Sequence, residues 1–138
     1  MKFTNRQFGE LEFDDQHVVT LANGLIGFEQ HRRFLIVDDA DSEPFRWLVS
    51  IEDTDLSFPL LDPRLLVPEY LTRSGVGEGS SVFVIAALSD RLEQSSINLR
   101  SPLVIDNATQ KGQQLILDDE SLPFQFPLVA ATSTVGSR

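Results

Sequence analysis

Ser96-Ile-Asn-Leu-Arg-Ser-Pro-Leu-Val-Ile-Asp-Asn-Ala-Thr-Gln-Lys-Gly-Gln-Gln-Leu-Ile-Leu117 is the stretch that decides the fold. Ile97 and Leu99 alternate with polar residues, Leu103-Val104-Ile105 forms a short apolar run, a polar turn follows, and Leu115-Ile116-Leu117 closes the unit. A period of two interrupted by turn residues is the pattern of a β-meander, because successive side chains of a strand point to opposite faces. The rest of the chain repeats that grammar. Strands are expected near Lys2 to Phe8, Leu11 to Phe13, Val18 to Leu21, Phe34 to Asp38, Phe45 to Ile51, Leu56 to Leu60, Val82 to Leu88, Ile97 to Leu99, Pro102 to Ile105, Gln113 to Leu117 and Phe124 to Phe126. No dozen residues hold the i, i+3, i+4, i+7 pattern of a helix. Many short strands at this spacing predict a mainly β, single-domain, closed or nearly closed antiparallel barrel, since closure removes exposed sheet edges.

Local punctuation refines this picture. Asn23-Gly24 supplies residues that tolerate φ > 0, and Gly27 adds a second flexible point before Phe28, so a compact knuckle is expected. Asp62-Pro63-Arg-Leu-Leu-Val-Pro68 reads as one short helical turn: Asp62 caps it, Pro63 suits its first position and Pro68 ends it. Gly75 to Gly79 reads as a loop. Residues 1–129 are expected to form the domain and Ala130 to Arg138, small and polar, a loose tail.

Composition narrows the function. The 138 residues include no cysteine, which excludes a disulfide framework and thiol catalysis. The longest apolar run, Val82 to Leu88, is too short to span a bilayer, so a cytoplasmic protein that does not enter a membrane is expected. Twenty-one acidic residues oppose eleven basic ones, giving a net charge of −10. Such a chain repels a phosphate backbone, which disfavours nucleic acid, and attracts a basic protein partner.

Chemistry-bearing constellations are sparse. His17 and His31, the only histidines, lie in no Gly-x-Ser-x-Gly turn and read as surface or strand-end side chains. Two histidines without cysteine make a poor zinc set. Asp39, Asp41 and Glu43 fit the first positions of a calcium loop, but Pro44 and Ser50 stand where glycine and glutamate are needed. Gly75-x-Gly-x-Gly79 lacks the following Lys-Ser/Thr and helix of a phosphate loop. No catalytic residue, metal or cofactor is therefore expected. The alternative is a small β-barrel enzyme with a carboxylate/histidine acid–base site, which requires a histidine beside a desolvated carboxylate.

Five ordered pieces carry a resemblance: Phe8-Gly-Glu10; Leu21-Ala-Asn-Gly-Leu-Ile-Gly-Phe28; Pro44-Phe-Arg-Trp-Leu-Val-Ser50; Asp62-Pro63 with Pro68-Glu-Tyr70; and the opening segment. Together they resemble the FliW family of flagellar assembly factors. Three positions depart from its pattern. Ile26 replaces the proline of a Gly-Leu-Pro-Gly-Phe turn, Val49 stands where glutamine is common, and Leu122 to Leu128 lacks a tyrosine and a basic residue. The resemblance implies a non-enzymatic monomer that binds the translational repressor CsrA, a small basic RNA-binding dimer. It would relieve repression of flagellin mRNA and be competed away by newly made flagellin. The candidate anchors are turn residues, Leu25, Ile26, Phe28, Leu66 and Tyr70, with Asp14, Asp15, Asp53, Asp55 and Asp62 as electrostatic contacts. Phe28, Leu66 and Tyr70 are of types that more often plug a barrel end, because large apolar side chains bury well and exposed apolar patches are uncommon.

Overall fold

A computed structural model describes residues 1–53, 55–70 and 79–127. Its strands are β1 (Lys2–Asn5), β2 (Gly9–Glu12), β3 (Val19–Leu21), β4 (Arg33–Asp38), β5 (Arg46–Ser50), β6 (Ser57–Leu61), β7 (Ser80–Ala87), β8 (Ser96–Asp106), β9 (Lys111–Gln114) and β10 (Phe126–Pro127). Strands β3 to β9 pair in chain order, β9 returns to β3, and the ring is closed. The mainly β closed barrel expected from the sequence is thus observed. One seam departs from antiparallel: β3 and β9 run parallel, Thr20 opposite Lys111 and Leu21 opposite Gly112. Parity demands it, because seven strands of alternating direction cannot close a ring without one parallel neighbour.

Several expected boundaries shift. The first strand ends at Asn5 rather than Phe8, because the buried Asn5 side chain accepts hydrogen bonds from the N–H groups of Gln7 and Phe8 at 2.8 and 2.9 Å and turns the chain. β1 and β2 form a separate hairpin, laid on the barrel through Phe8 edge-on to Trp47. The helical turn at Pro63–Leu65 is present, with Asp62 accepting from Arg64 N–H. Three more 3-10 turns, Asp15–His17, Ala40–Ser42 and Leu92–Gln94, accompany it among the described residues. The expected loop from Gly75 falls, but for Gly79, outside the described residues, as does the whole tail from Ala130.

Inside the barrel, Val19, Leu21, Leu25, Phe34, Leu48, Leu60, Phe83, Leu103 and Ile105 form one buried cluster. A second cluster, Leu61, Tyr70, Val84, Ala86, Ile97, Leu99 and Leu122, packs on the opposite face. β8 serves both. Two strands were expected there, broken at Arg100-Ser101; one strand runs through, but four residues, Leu99 to Pro102, oppose the single Val84 between the pairs Phe83–Leu103 and Ile85–Asn98. Asn98 Oδ1 holds this bulge by accepting from the N–H groups of Arg100 and Ser101, and Pro102 has no N–H to pair. The bulge inverts the pleat. Leu103 and Ile105 point into the first cluster, whereas Ile97 and Leu99, of the same parity, point into the second.

Tyr70 fixes the outer cluster. Its hydroxyl donates to the Leu99 carbonyl at 2.5 Å from a fully buried position. Tyr70→Phe is expected to lower unfolding free energy by about 1 to 2 kcal/mol, the cost of leaving a buried carbonyl short of a partner. Urea denaturation checks it; an unchanged midpoint would show that this bond contributes nothing.

An apolar groove at the seam of β6 and β7

β6 and β7 pair only at Leu60–Ile85 and Leu61–Val84. Beyond Leu60 the next β6 position is Pro59, which has no N–H to extend the ladder, and the strands part. A groove of about 770 Å³ opens there. It is lined by Phe58 and Pro59 from one strand and by Ile85, Ala86 and Ala87 from the other. The groove runs along the facing edges of the two strands, where residues of both parities border it.

Five large apolar side chains converge on it while staying exposed: Ile26 (53%), Phe28 (40%), Leu88 (48%), Ile116 (64%) and Phe124 (47%). Among the described residues only Met1 and Leu65 are comparably exposed elsewhere. Not one lining residue is charged, in a chain of net charge −10. The two buried side-chain polar atoms without a hydrogen-bond partner among the described residues, Trp47 Nε1 and Ser101 Oγ, both belong to lining residues. A contiguous uncharged apolar surface of this kind marks a place where another molecule is received.

The knuckle forms one wall. Phe28 N–H donates to the Leu25 carbonyl at 2.8 Å, and Gly27, at φ +88°, takes the third position of this tight turn, where only glycine is comfortable. Gly24 also sits at φ +66°, and a Cβ there would meet Glu29 backbone atoms at 2.7 Å. Asn23 does not share that conformation. Two side chains pin the turn: Glu29 Oε2 accepts from Gly27 N–H at 2.8 Å, and Gln114 Oε1 accepts from Ile26 N–H at 2.9 Å. Gln114 Nε2 in turn donates to the Ser101 carbonyl at 3.1 Å, clipping the knuckle to the β8 bulge. The Ile26 bond gives a physical meaning to the departure noted above, since proline at this position has no N–H to donate. Glu29 is held below the usual carboxylate range by the Gly27 N–H.

The opposite end is set by Arg100. Its guanidinium donates to the carbonyls of Leu122 and Glu120 at 2.7 and 2.8 Å and stacks over the Phe124 ring at 4.7 Å, which presents Phe124 to the groove. Leu88, Ile116 and Phe124 were not among the sequence candidates. A signal existed for Ile116, the middle of an apolar triplet that a strand must turn away from Leu115 and Leu117.

Of the sequence candidates, Leu25, Ile26 and Phe28 line the groove, although Leu25 is buried in the barrel core. Tyr70 is fully buried, and Leu66 is half-buried against the outer cluster. Neither is presented to solvent as an anchor. Asp14 and Asp15 are exposed at another 3-10 turn, Asp53 and Asp55 at the β5–β6 connection, where Asp55 faces Arg6 at 3.5 Å. Asp62, half-buried, is engaged with Arg64 Nη2 at 2.6 Å. These acids are scattered rather than gathered.

Hydrogen bonding from the Arg64 guanidinium lowers the Asp62 carboxyl from its ordinary 3.8. A depressed carboxylate stabilises the fold above its unfolded value and ceases to do so as pH falls through the folded one. Asp62→Asn is therefore expected to melt below the wild type at neutral pH, by a fraction of a kcal/mol for so exposed a pair, with the gap closing below 3.8. Thermal melts across that range check the sign; a constant gap would mean that the charge is irrelevant.

His17 is exposed, its Nδ1 accepting from Asp14 N–H at 3.1 Å. His31 Nδ1 lies 3.5 Å from Ser50 Oγ, but Ser50 is fully buried and its Oγ accepts from the N–H groups of Glu52 and Asp53 at 3.2 and 3.0 Å. That serine caps a turn. Glu52 is exposed and held low first by the Arg32 N–H and then by that of Arg33. Among the described residues no Asp or Glu is buried, and no His, Asp or Glu cluster has metal-binding geometry. No described helix is long and apolar enough to cross a membrane.

Fold and site thus define a small closed β-barrel whose distinctive surface is an apolar, uncharged groove. The sequence over residues 2–128 matches the model of the FliW protein family, and the chain belongs to that family. Flagellar assembly factors FliW of Caldicellulosiruptor bescii and Thermosipho africanus are each 33% identical to it, over 90% and 93% of this chain and 88% and 95% of theirs. That of Caldanaerobacter subterraneus subsp. tengcongensis is 29% identical over 94% and 93%. A crystal structure of the flagellar assembly factor FliW superposes with a TM-score of 0.79 at 25% identity, covering 93% of this chain and 96% of that one.

Proposed function

We propose that this chain is a non-enzymatic flagellar assembly factor that binds CsrA and flagellin in a partner switch. Bound to the repressor it relieves repression of flagellin mRNA; bound to free flagellin it releases the repressor. It acts as a cytoplasmic monomer without a cofactor, binding neither nucleic acid nor membrane directly. The observation that carries the reading is the convergence of five exposed apolar side chains on an uncharged groove in a chain of net charge −10. Apolar anchors set how long a complex lasts, and the acidic field sets how fast a basic repressor arrives. Family membership supports it. The acid–base enzyme alternative finds no buried carboxylate among the described residues.

The test is calorimetric titration into CsrA of the same organism, at low and moderate salt, with and without flagellin. Binding that weakens with salt and is abolished by flagellin is expected. No heat with either partner at micromolar concentration would overturn the reading.

A further inference from the structure

We propose that the β6–β7 seam takes an extended, alternating apolar segment of a partner protein, flanked by basic residues, which lies between the two strands as an added strand. This deepens the binding reading above and rests on it. Ser57 and Phe58 still pair with Val49 and Leu48 on one side, and Ala86 and Ala87 with Ile97 and Ser96. On the sides that face each other across the groove, none of these four has a ladder partner. Two strand edges therefore confront each other, the arrangement that main-chain addition uses: backbone hydrogen bonds supply affinity and pockets for alternate side chains supply selectivity. Side chains of both faces border the groove: Phe58 and Ile85 pack against the inner cluster and Ala86 belongs to the outer one. A helix seated in a groove would instead use one continuous face.

Charge favours basic flanks. The lining residues carry none; exposed Glu29, Asp90 and Asp118 follow Phe28, Leu88 and Ile116 by one or two positions, the Arg100 guanidinium beside Phe124 is engaged by the Leu122 and Glu120 carbonyls, and the chain as a whole carries −10. Glu29 is moreover kept ionised by the Gly27 N–H. An occupant with an uncharged middle and lysines or arginines at its ends matches that distribution, and an acidic one is repelled.

The test uses a library of fluorescein-labelled octapeptides alternating apolar and polar residues, each made with paired lysines or paired aspartates at its ends and read by anisotropy against the full chain. Lysine-flanked members are expected to bind, at least tenfold more tightly than their aspartate-flanked counterparts. N-methylation of alternate backbone amides, which removes donors while keeping side chains, is expected to cost at least tenfold, as is Leu88→Asp at an exposed wall. Hydrogen exchange should slow at Phe58 and at Ala86 to Leu88 on binding. The proposal is overturned if no peptide binds above the Leu88→Asp background, if N-methylated peptides bind equally well, as for a helix or side-chain-only docking, or if Leu88→Asp instead dissolves a dimer of this chain. CsrA and flagellin titrated in parallel separate the two readings. Peptide binding without either partner sinks the partner switch alone, and partner binding indifferent to Leu88→Asp with silent peptides sinks the seam alone.

Discussion

Phe34→Ala is expected to destabilise the fold by about 3 to 5 kcal/mol. The ring is fully buried at the centre of the inner cluster, on a strand paired on both sides. Removing it forfeits its transfer free energy and leaves a cavity that the closed ring cannot collapse into, since moving β4 inward strains every seam. A domain of this size is stable by about 5 to 15 kcal/mol, so a fifth or more of that is at stake. The urea midpoint should fall with the slope preserved. A loss under about 1 kcal/mol would mean that the barrel is plastic enough to refill the space.

The second large effect concerns binding. Ile26→Asp is expected to leave stability within about 0.5 kcal/mol of the wild type, because the side chain is 53% exposed and the turn is held by main-chain atoms, Gln114 and Glu29. It should nevertheless weaken at least one of the proposed complexes, with CsrA or with flagellin, by about thirtyfold or more. A carboxylate placed in an uncharged wall must be desolvated on binding and finds no cation there. Calorimetry with each partner, beside a thermal melt, separates the two contributions. Unchanged affinity for both in a folded variant would remove the groove from the function. If only one affinity falls, the partners use different surfaces, and the switch works through the barrel rather than by overlap.

Much of this molecule can be read from single residues and their neighbours. The short apolar runs Phe34 to Val37 and Val82 to Leu88, and the alternation around Ile97 and Leu99, report strands because run length and side-chain direction are local consequences of the backbone. Asp62-Pro63 reports a capped turn because the cap reaches only to Arg64, and Gly27 marks the knuckle because φ > 0 penalises any side chain locally. The five ordered motif pieces, likewise, are visible without coordinates, and with them the family.

The candidate anchors were legible only in part, for a different reason. Turn position singled out Ile26 and Phe28, which do line the groove, but also Tyr70, whose hydroxyl is spent on the Leu99 carbonyl inside the fold. Local sequence cannot tell a turn residue that faces water from one covered by a distant segment, here β8 and the stretch around Leu122. Leu88, Ile116 and Phe124 lie far apart in the chain and in strands or connections that read as core. They share a surface because β7, β9 and β10 all pair with β8, which brings the segments at their ends together.

By itself, then, the sequence determined the mainly β class, the approximate places of the strands, the acidic character and the family, all of which follow from short-range periodicity, formal charge and contiguous motifs. The tertiary structure alone decided three things: the parallel β3–β9 closure, the inversion of the pleat at the β8 bulge, and the gap at Pro59 where the groove opens. Each depends on how many residues of one strand stand opposite another. That register is set by pairing across the whole ring, and no window of neighbouring residues contains it.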